Sequence, residues 1–408
     1  MSQKKLMLLG GIRYLLPVIE AAHKMGVYVI TADYLPDNIA HKYSDEYVNV
    51  SIIDRDAVLK VAQEKKIDGI LSFGVDPGVV TAAYVAEKMG LPTPPLASVE
   101  ILQNKDKFRD FLEENGFNCP WHYSFSSAED VMKFFRSATT TSDCNYFPCI
   151  VKPVDSAGSK GVTRVNSFDE LEPALDVAFA ATHKGRIVIE QFLELDGCQT
   201  GSDSFSIDGN LCFCTFDSQI FDASASNPYA PSAHVWPSLM PQFVQDELRG
   251  EIQRLIKLMN LGTSIYNIEA RLAKDGKAYI MEVSPRAGGN RLSEVLVRAT
   301  GQDIIANNVR FALGLELIPM REPVYDGAWA VYVVHSMRAG VYRGISINPE
   351  FAAAHVKACD MYIERGARVE PFTGANQAIG TVFLRFETNV EAVTALKNPE
   401  HWIEVAVE

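Results

Sequence analysis

Two glutamates on either side of a short turn are the residues best placed to do chemistry. The run Tyr266-Asn267-Ile268-Glu269-Ala270-Arg271-Leu272-Ala273-Lys274 is followed, after Asp275-Gly276, by Lys277-Ala278-Tyr279-Ile280-Met281-Glu282-Val283-Ser284. An Asp-Gly pair between such flanks signals a two-residue hairpin turn. That turn sets Lys274 against Lys277, Glu269 against Glu282 and Asn267 against Ser284, and paired side chains share a face. Like charges directly opposite each other cost a few tenths to about 1 kcal/mol, so the pair points to a cation between them. Hard oxygen ligands suit magnesium or manganese. A register slip of one residue, or an exposed pair bridged by lysines, would leave the same residues without chemistry.

A second chemical element lies upstream. The apolar run Cys149-Ile150-Val151-Lys152-Pro153 leads into Val154-Asp155-Ser156-Ala157-Gly158-Ser159-Lys160-Gly161. Backbone N–H groups of a small-residue loop can wrap a phosphate while a lysine neutralises it. The loop lacks the G-K-[ST] of a Walker A motif, and an ordinary turn reads the same way. Ile187-Val188-Ile189-Glu190-Gln191-Phe192-Leu193 is an apolar strand with polar groups near its end. Ala287-Gly288-Gly289-Asn290-Arg291 offers backbone N–H groups and a guanidinium to a substrate carboxylate, or is simply a glycine-rich helix entry. His234, read as part of the loop Ser232-Ala233-His234-Val235-Trp236-Pro237, is a candidate substrate contact, although a lone histidine is more often structural.

These pieces need a scaffold. With 408 residues the chain exceeds one ordinary core. Residues 1–95 alternate strand and helix, which predicts a parallel sheet covered by helices. Residues 96–324 mix short strands, hairpins and helices, and 325–408 form a smaller α+β unit. A net charge of −13 argues against a nucleic-acid or anionic-membrane binder. No apolar stretch is long enough to span a bilayer, and seven scattered cysteines fit a reducing cytoplasm. Asp33 follows the second strand where a dinucleotide-binding acid would sit, but Gly10-Gly11-Ile12-Arg13 does not complete G-x-G-x-x-G.

Taken in order, Lys105 before a helix, Lys152 before the small-residue loop, Glu190 to Leu193, Glu269 and Glu282-Val283-Ser284-Pro285-Arg286 resemble the ATP-grasp superfamily across almost the whole chain. The Glu-x-Ser-Pro-Arg-x-Gly-Gly run is most similar to the carbamoyl-phosphate-synthetase-like branch that includes L-amino-acid ligases. The resemblance implies an N-terminal parallel α/β domain, a central ATP-grasp unit with a mobile lid of about residues 121–192, and a C-terminal α+β domain. It also assigns roles. Lys105 and Lys152 would hold the α and β phosphates of ATP, and Ser156, Gly158, Ser159 and Gly161 would close over the triphosphate. Glu190, Gln191, Phe192 and Leu193 would meet adenine. Glu269, Glu282 and Ser284 would hold magnesium or manganese, and Arg286 would steady the transferred phosphoryl group. Two positions depart from the family pattern: Gln199 stands where a ribose-binding acid is expected, and Ser284 where a metal-binding asparagine is expected, with Asn267 opposite it as a substitute amide.

The implied activity is ATP-dependent joining of a small-molecule carboxylate to an amine through an acyl phosphate. The alternatives are a purine-pathway ligase or transferase of the same superfamily and a non-catalytic nucleotide-binding relative. The carboxylate, the amine and the oligomeric state, a homodimer included, stay open on the sequence.

Overall fold

The computed structural model describes residues 3–139, 146–156, 158 and 160–408. The first unit is built from β1 (Lys5–Leu9), α1 (Leu16–Lys24), β2 (Tyr28–Asp33), β3 (Glu46–Asn49), α2 (Arg55–Lys65), β4 (Gly69–Ser72) and α3 (Val79–Met89). Its four strands are all parallel, in the order β3-β2-β1-β4. Leu6 to Leu9 are fully buried, as expected of a strand covered by helices on both faces. Asp33 accepts hydrogen bonds from Asn38 and the Leu35 N–H and so closes its own turn.

After α4 (Leu96–Leu102) and α5 (Lys105–Glu114) comes a second sheet, ordered β5-β8-β6-β7. It contains β5 (His122–Phe125), β6 (Cys149–Pro153), β7 (Thr163–Val165) and β8 (Ile187–Gln191), covered by α6 (Ala128–Thr139) and α7 (Leu171–Ala181). Its small apolar core, with Val131, Phe135, Leu175 and Ile189, is separate from the others.

The third sheet, ordered β10-β9-β13-β14, carries the hairpin: β9 (Leu195–Ile207), β10 (Asn210–Phe213), β13 (Ser264–Ala273) and β14 (Ala278–Ser284). One face is apolar. Ile268, Ala270, Ile280 and Val283 pack with Phe108 and Leu112 of α5 and Leu248 and Ile252 of α8 (Gln242–Leu258). The opposite face is polar and is described below.

Between those strands, β11 (Ser218–Phe221) and β12 (Pro231–Trp236) leave for a five-stranded sheet ordered β11-β12-β15-β19-β17. The helices α9 (Leu292–Thr300) and α10 (Ile304–Ala312) connect to β15 (Ala328–Val334), β16 (Gly340–Ile347), β17 (Val356–Met361), β18 (Arg368–Val369), β19 (Gly380–Phe386) and β20 (Ile403–Val407). β12 pairs with β15 over four residues, so one sheet crosses the division expected at residue 325. The C-terminal segment shares a core with strands that precede the hairpin. No helix among the described residues is long and apolar enough to cross a membrane.

A buried ion cluster holds two of these sheets in register. Arg109 of α5 is about 1% exposed and donates through Nε to Glu190 of β8 at 2.8 Å and through Nη1 to the Met281 carbonyl of β14 at 2.9 Å. Lys152 of β6 meets the same Glu190 carboxylate at 2.5 Å. Burial alone would raise the Glu190 carboxyl, but Arg109 and Lys152 outweigh it and hold it down to about 2. A carboxylate whose folded-state value is depressed adds stability above its unfolded value, near 4.3, and that stability is lost as pH falls toward 2. Glu190→Gln leaves two buried cations without a counter-charge and is expected to cost roughly 3–5 kcal/mol, measured by urea denaturation at pH 7. The deficit should shrink as pH falls toward 3.

Candidate functional site

Register builds the site. Outward from the turn Leu272 pairs with Ala278, Arg271 with Tyr279 and Ala270 with Ile280; beyond a bulge, Glu269 pairs with Glu282, Ile268 with Val283 and Asn267 with Ser284. The loop is not the two-residue turn expected. The Ala273 N–H donates to the Lys277 carbonyl and the Gly276 N–H to the Ala273 carbonyl, with Gly276 at φ +80°. This is a three-residue loop with glycine in the left-handed region. On its own it would shift the register by one and separate the glutamates. Met281 is the extra residue of the bulge that restores the pairing, and its carbonyl is the one taken by Arg109.

The β9–β13 register places Asp203 opposite Asn267, Gly201 opposite Glu269 and Gln199 opposite Arg271. Alternation therefore gathers Gln199, Gly201, Asp203, Asn267, Glu269, Arg271, Glu282 and Ser284 on one face. Gly201 has no side chain, and the Gln219 amide fills that space so closely that a Cβ there would collide with it. Burial first, then repulsion from Glu282, pushes the Glu269 carboxyl up to about 7. Among the described residues no group of three or more His, Cys, Asp or Glu is gathered for a metal. Two carboxylates with room for phosphate oxygens and water fit magnesium, which keeps much of its shell outside the protein.

Cations surround this face. Lys105 Nζ donates to the Ser156 carbonyl at 2.8 Å and lies 3.7 Å from Glu282 Oε2, so it links the small-residue loop to the carboxylate pair. Burial pushes the Lys152 ammonium down to about 8 despite Glu190, with Arg109 and Lys105 adding to the effect. A further anion would relieve it. Gly158 and Gly161 adopt φ +65° and +73°, and Ser156 Oγ donates to the Lys160 carbonyl. Ser159 lies outside the described residues. The Glu190 side chain is committed to the buried ion cluster, which leaves its backbone and the residues Gln191, Phe192 and Leu193 for a purine; the Gln191 and Phe192 N–H groups already donate to the Trp121 and Pro148 carbonyls.

Several expected contacts are engaged otherwise. The fork of Arg286 is taken by Asp76 through Nε and Nη2, both at 2.7 Å, with Nη1 on its neighbour Ala287's carbonyl. The Ser284 hydroxyl donates to Asp76 and accepts from Gln103, while the Asn267 amide donates to Asp203. The Ser284 hydroxyl is thus engaged on both sides, and Asn267 is engaged through its amide nitrogen. The Gly288 N–H donates to Asp203 at 2.7 Å, and Arg291 is bound by Glu294 and Asp360. Asp203 and the three acids around Arg286 and Arg291 thus occupy groups read as substrate contacts, because each cation here is buried enough to need a counter-charge. Gly289 packs against Tyr14. His234 sits on β12, not in a loop. Its Nδ1 lies 2.6 Å from Asp217, its ring stacks near Trp236, and its buried Nε2 has no partner among the described residues.

Sequence reasoning missed Asp76, Gln103, Arg109, Asp203, Gln219 and Arg271. Asp76 follows the carboxyl end of β4, where ligands gather in open α/β sheets, and Arg271 is two residues from Glu269 on the same face. The others carry no local signal.

The raised Glu269 carboxyl has a testable sign. An acid whose folded-state value is raised adds stability below its unfolded value, and that stability is lost as pH rises through about 7. Without metal, Glu269→Gln should therefore gain on wild type by about 1–2 kcal/mol between pH 5 and 7.5, discounted for the solvent the side chain keeps. Melting temperatures of both proteins across that range check it; parallel curves would remove the repulsion.

The chain is similar to known proteins in sequence and in fold. Residues 145–294 match the model of an ATP-grasp domain. The formate-dependent phosphoribosylglycinamide formyltransferase of Bacteroides thetaiotaomicron is 25% identical over 385 residues, 93% of each chain. The carbamoyl phosphate synthase large chain of Clostridium beijerinckii is 24% identical over 73% of this chain, which spans 27% of that protein. The crystal structure of the L-amino acid ligase from Bacillus licheniformis superimposes with a TM-score of 0.81 at 21% identity, covering all of both chains. Residues 145–294 thus match an ATP-grasp domain, and the chain shares the fold of the L-amino acid ligase structure along its length.

Proposed function

We propose that this protein is an ATP-dependent ligase that joins a carboxylate to an amine, with amino-acid-like substrates. One observation carries the reading: Glu269 and Glu282 face each other on a polar sheet face, where burial and then their mutual repulsion drive Glu269 toward neutrality. A fold does not hold like charges together there unless something positive completes the site. Glu269 and Glu282 would hold magnesium, which when bound neutralises the triphosphate and aligns it for transfer.

The chain's own residues supply the rest. Lys105 and Lys152 take the phosphates, and Lys152, which shares the single Glu190 carboxylate with Arg109, gains a second anion. The substrate carboxylate oxygen attacks the γ-phosphorus and ADP leaves. The amine nitrogen then attacks the acyl carbon, and the phosphate leaves with the electron pair of the broken C–O bond. Positioning and charge neutralisation dominate such a transfer. Arg286 is held beside the pair by Asp76, ready to share its fork with a phosphoryl oxygen.

A second reading, a purine-pathway transferase or ligase, is supported by the formyltransferase relative matched over 93% of both chains. It requires a site for a sugar phosphate. A cavity of about 630 Å³ lined by Arg13, His23, Lys24 and Arg291 lies nearby, without Glu269 or Glu282 in its wall. Three of those basic groups already meet Asp45, Glu20, Glu294 or Asp360. That leaves little free positive charge for a phosphate, which favours the amino-acid reading.

Incubation with ATP, magnesium and a panel of amino acids and ribosyl phosphates should yield ADP and phosphate with the amino-acid panel, and hydroxylamine should trap a hydroxamate. AMP and pyrophosphate as products would overturn the mechanism, and turnover with ribosyl phosphates alone would select the second reading. Lys152→Ala should weaken ATP binding by roughly 1.5–3 kcal/mol in calorimetry, the worth of a charge-assisted contact.

A further inference from the structure

Arg271 is the one guanidinium on the polar face without a counter-charge. Its Nη2 donates to Gln199 Oε1 at 2.5 Å and its Nη1 reaches the Leu193 carbonyl at 3.4 Å, while its buried Nε has no partner among the described residues. Among the described residues it forms no ion pair with a carboxylate, whereas Arg109, Arg286 and Arg291 each do. Gln199 is itself held by the side chain of Gln219, Nε2 to Oε1 at 2.9 Å, so the Arg271 fork is fixed from the side by a neutral chain of amides. A partly buried cation whose hydrogen-bond partners are all neutral, with Glu269 acting on it only through space from two residues away, is expensive unless an anion arrives.

Its place on the sheet says which anion. Along β13, Arg271 lies two residues from Glu269, roughly 6–7 Å away on the same face, in the direction of Leu193. On the ligase reading, on which this inference rests, the base lies at residues 190–193 and the metal-bound phosphates at Glu269 and Glu282. A nucleotide that spans the two passes Arg271, whose Nη1 lies 3.4 Å from the Leu193 carbonyl at the base end. We infer that Arg271 binds the α-phosphate of the nucleotide, with Gln199 as the neutral clamp that keeps its charge free for it. A carboxylate at 199 would pair with Arg271 and withdraw that charge, which gives the glutamine at this position a reason.

Adenosine and AMP differ only in that phosphate, so they separate this role from a structural one. Calorimetry, or saturation-transfer NMR for weak ligands, would compare adenosine, AMP and ATP with magnesium on the full chain. For Arg271→Met the expected result is a loss of about tenfold to a hundredfold for AMP and ATP with adenosine unchanged; Arg271→Lys should restore part of it. AMP affinity unchanged in these variants, or adenosine weakened as much as AMP, would overturn the inference. Wild-type protein that binds neither AMP nor ATP would overturn the ligase reading instead.

Discussion

The site depends first on a buried guanidinium. Arg109 reaches from α5 to a carboxylate on the second sheet and to a carbonyl on the hairpin, so three elements are fixed by one planar fork. Arginine suits this because its donors are rigid and its charge is permanent. Lysine at 109 could satisfy one direction but not both. The shared Glu190 also sets where the Lys152 ammonium rests, and the hairpin carbonyl it binds belongs to the bulge that brings the two glutamates face to face. Phosphate-side cation and metal-side carboxylates are thus positioned from the same buried point.

Around that point the sheet separates two kinds of work. One face of β13 and β14 is apolar and packs on α5 and α8; the other gathers acids, amides and one free arginine. A bulge would ordinarily weaken a ladder. Here it changes register between the turn, where loop geometry rules, and the outer strand, where chemistry rules, and the freed carbonyl is satisfied by Arg109 rather than left bare.

Electrostatic pairing governs the rest. Both arginines of the loop of residues 286–291 are matched by acids: Asp76 of the first unit for Arg286, and Asp360 of the five-stranded sheet with Glu294 of α9 for Arg291. Contacts that a sequence motif suggests for substrate therefore serve to join elements of the fold, whereas Lys105 pairs with Glu282 of the carboxylate pair, Lys152 shares Glu190 with Arg109, and Arg271 forms no ion pair among the described residues. His234, paired with Gln219 and held by Asp217 just before β11, adds a buried ring nitrogen without a partner among the described residues.

Local rules in the sequence determined the alternating first unit, the helices over residues 55–65 and 292–300, and the facing of Glu269 and Glu282, since these follow from periodicity, capping and side-chain alternation along a strand. The last was reached through a turn that does not occur; the loop is one residue longer and a bulge at Met281 cancels the difference, and neither leaves a mark distinct from an ordinary apolar strand. The order of lysines, glutamates and arginine was legible as a resemblance, because it needs only their sequence along the chain. Which of these groups stay free was decided by tertiary structure alone. Asp76 lies 210 residues from Arg286 and Glu190 lies 81 from Arg109. No local signal connects such partners, because a buried charge takes its counter-charge from whichever element the fold brings beside it.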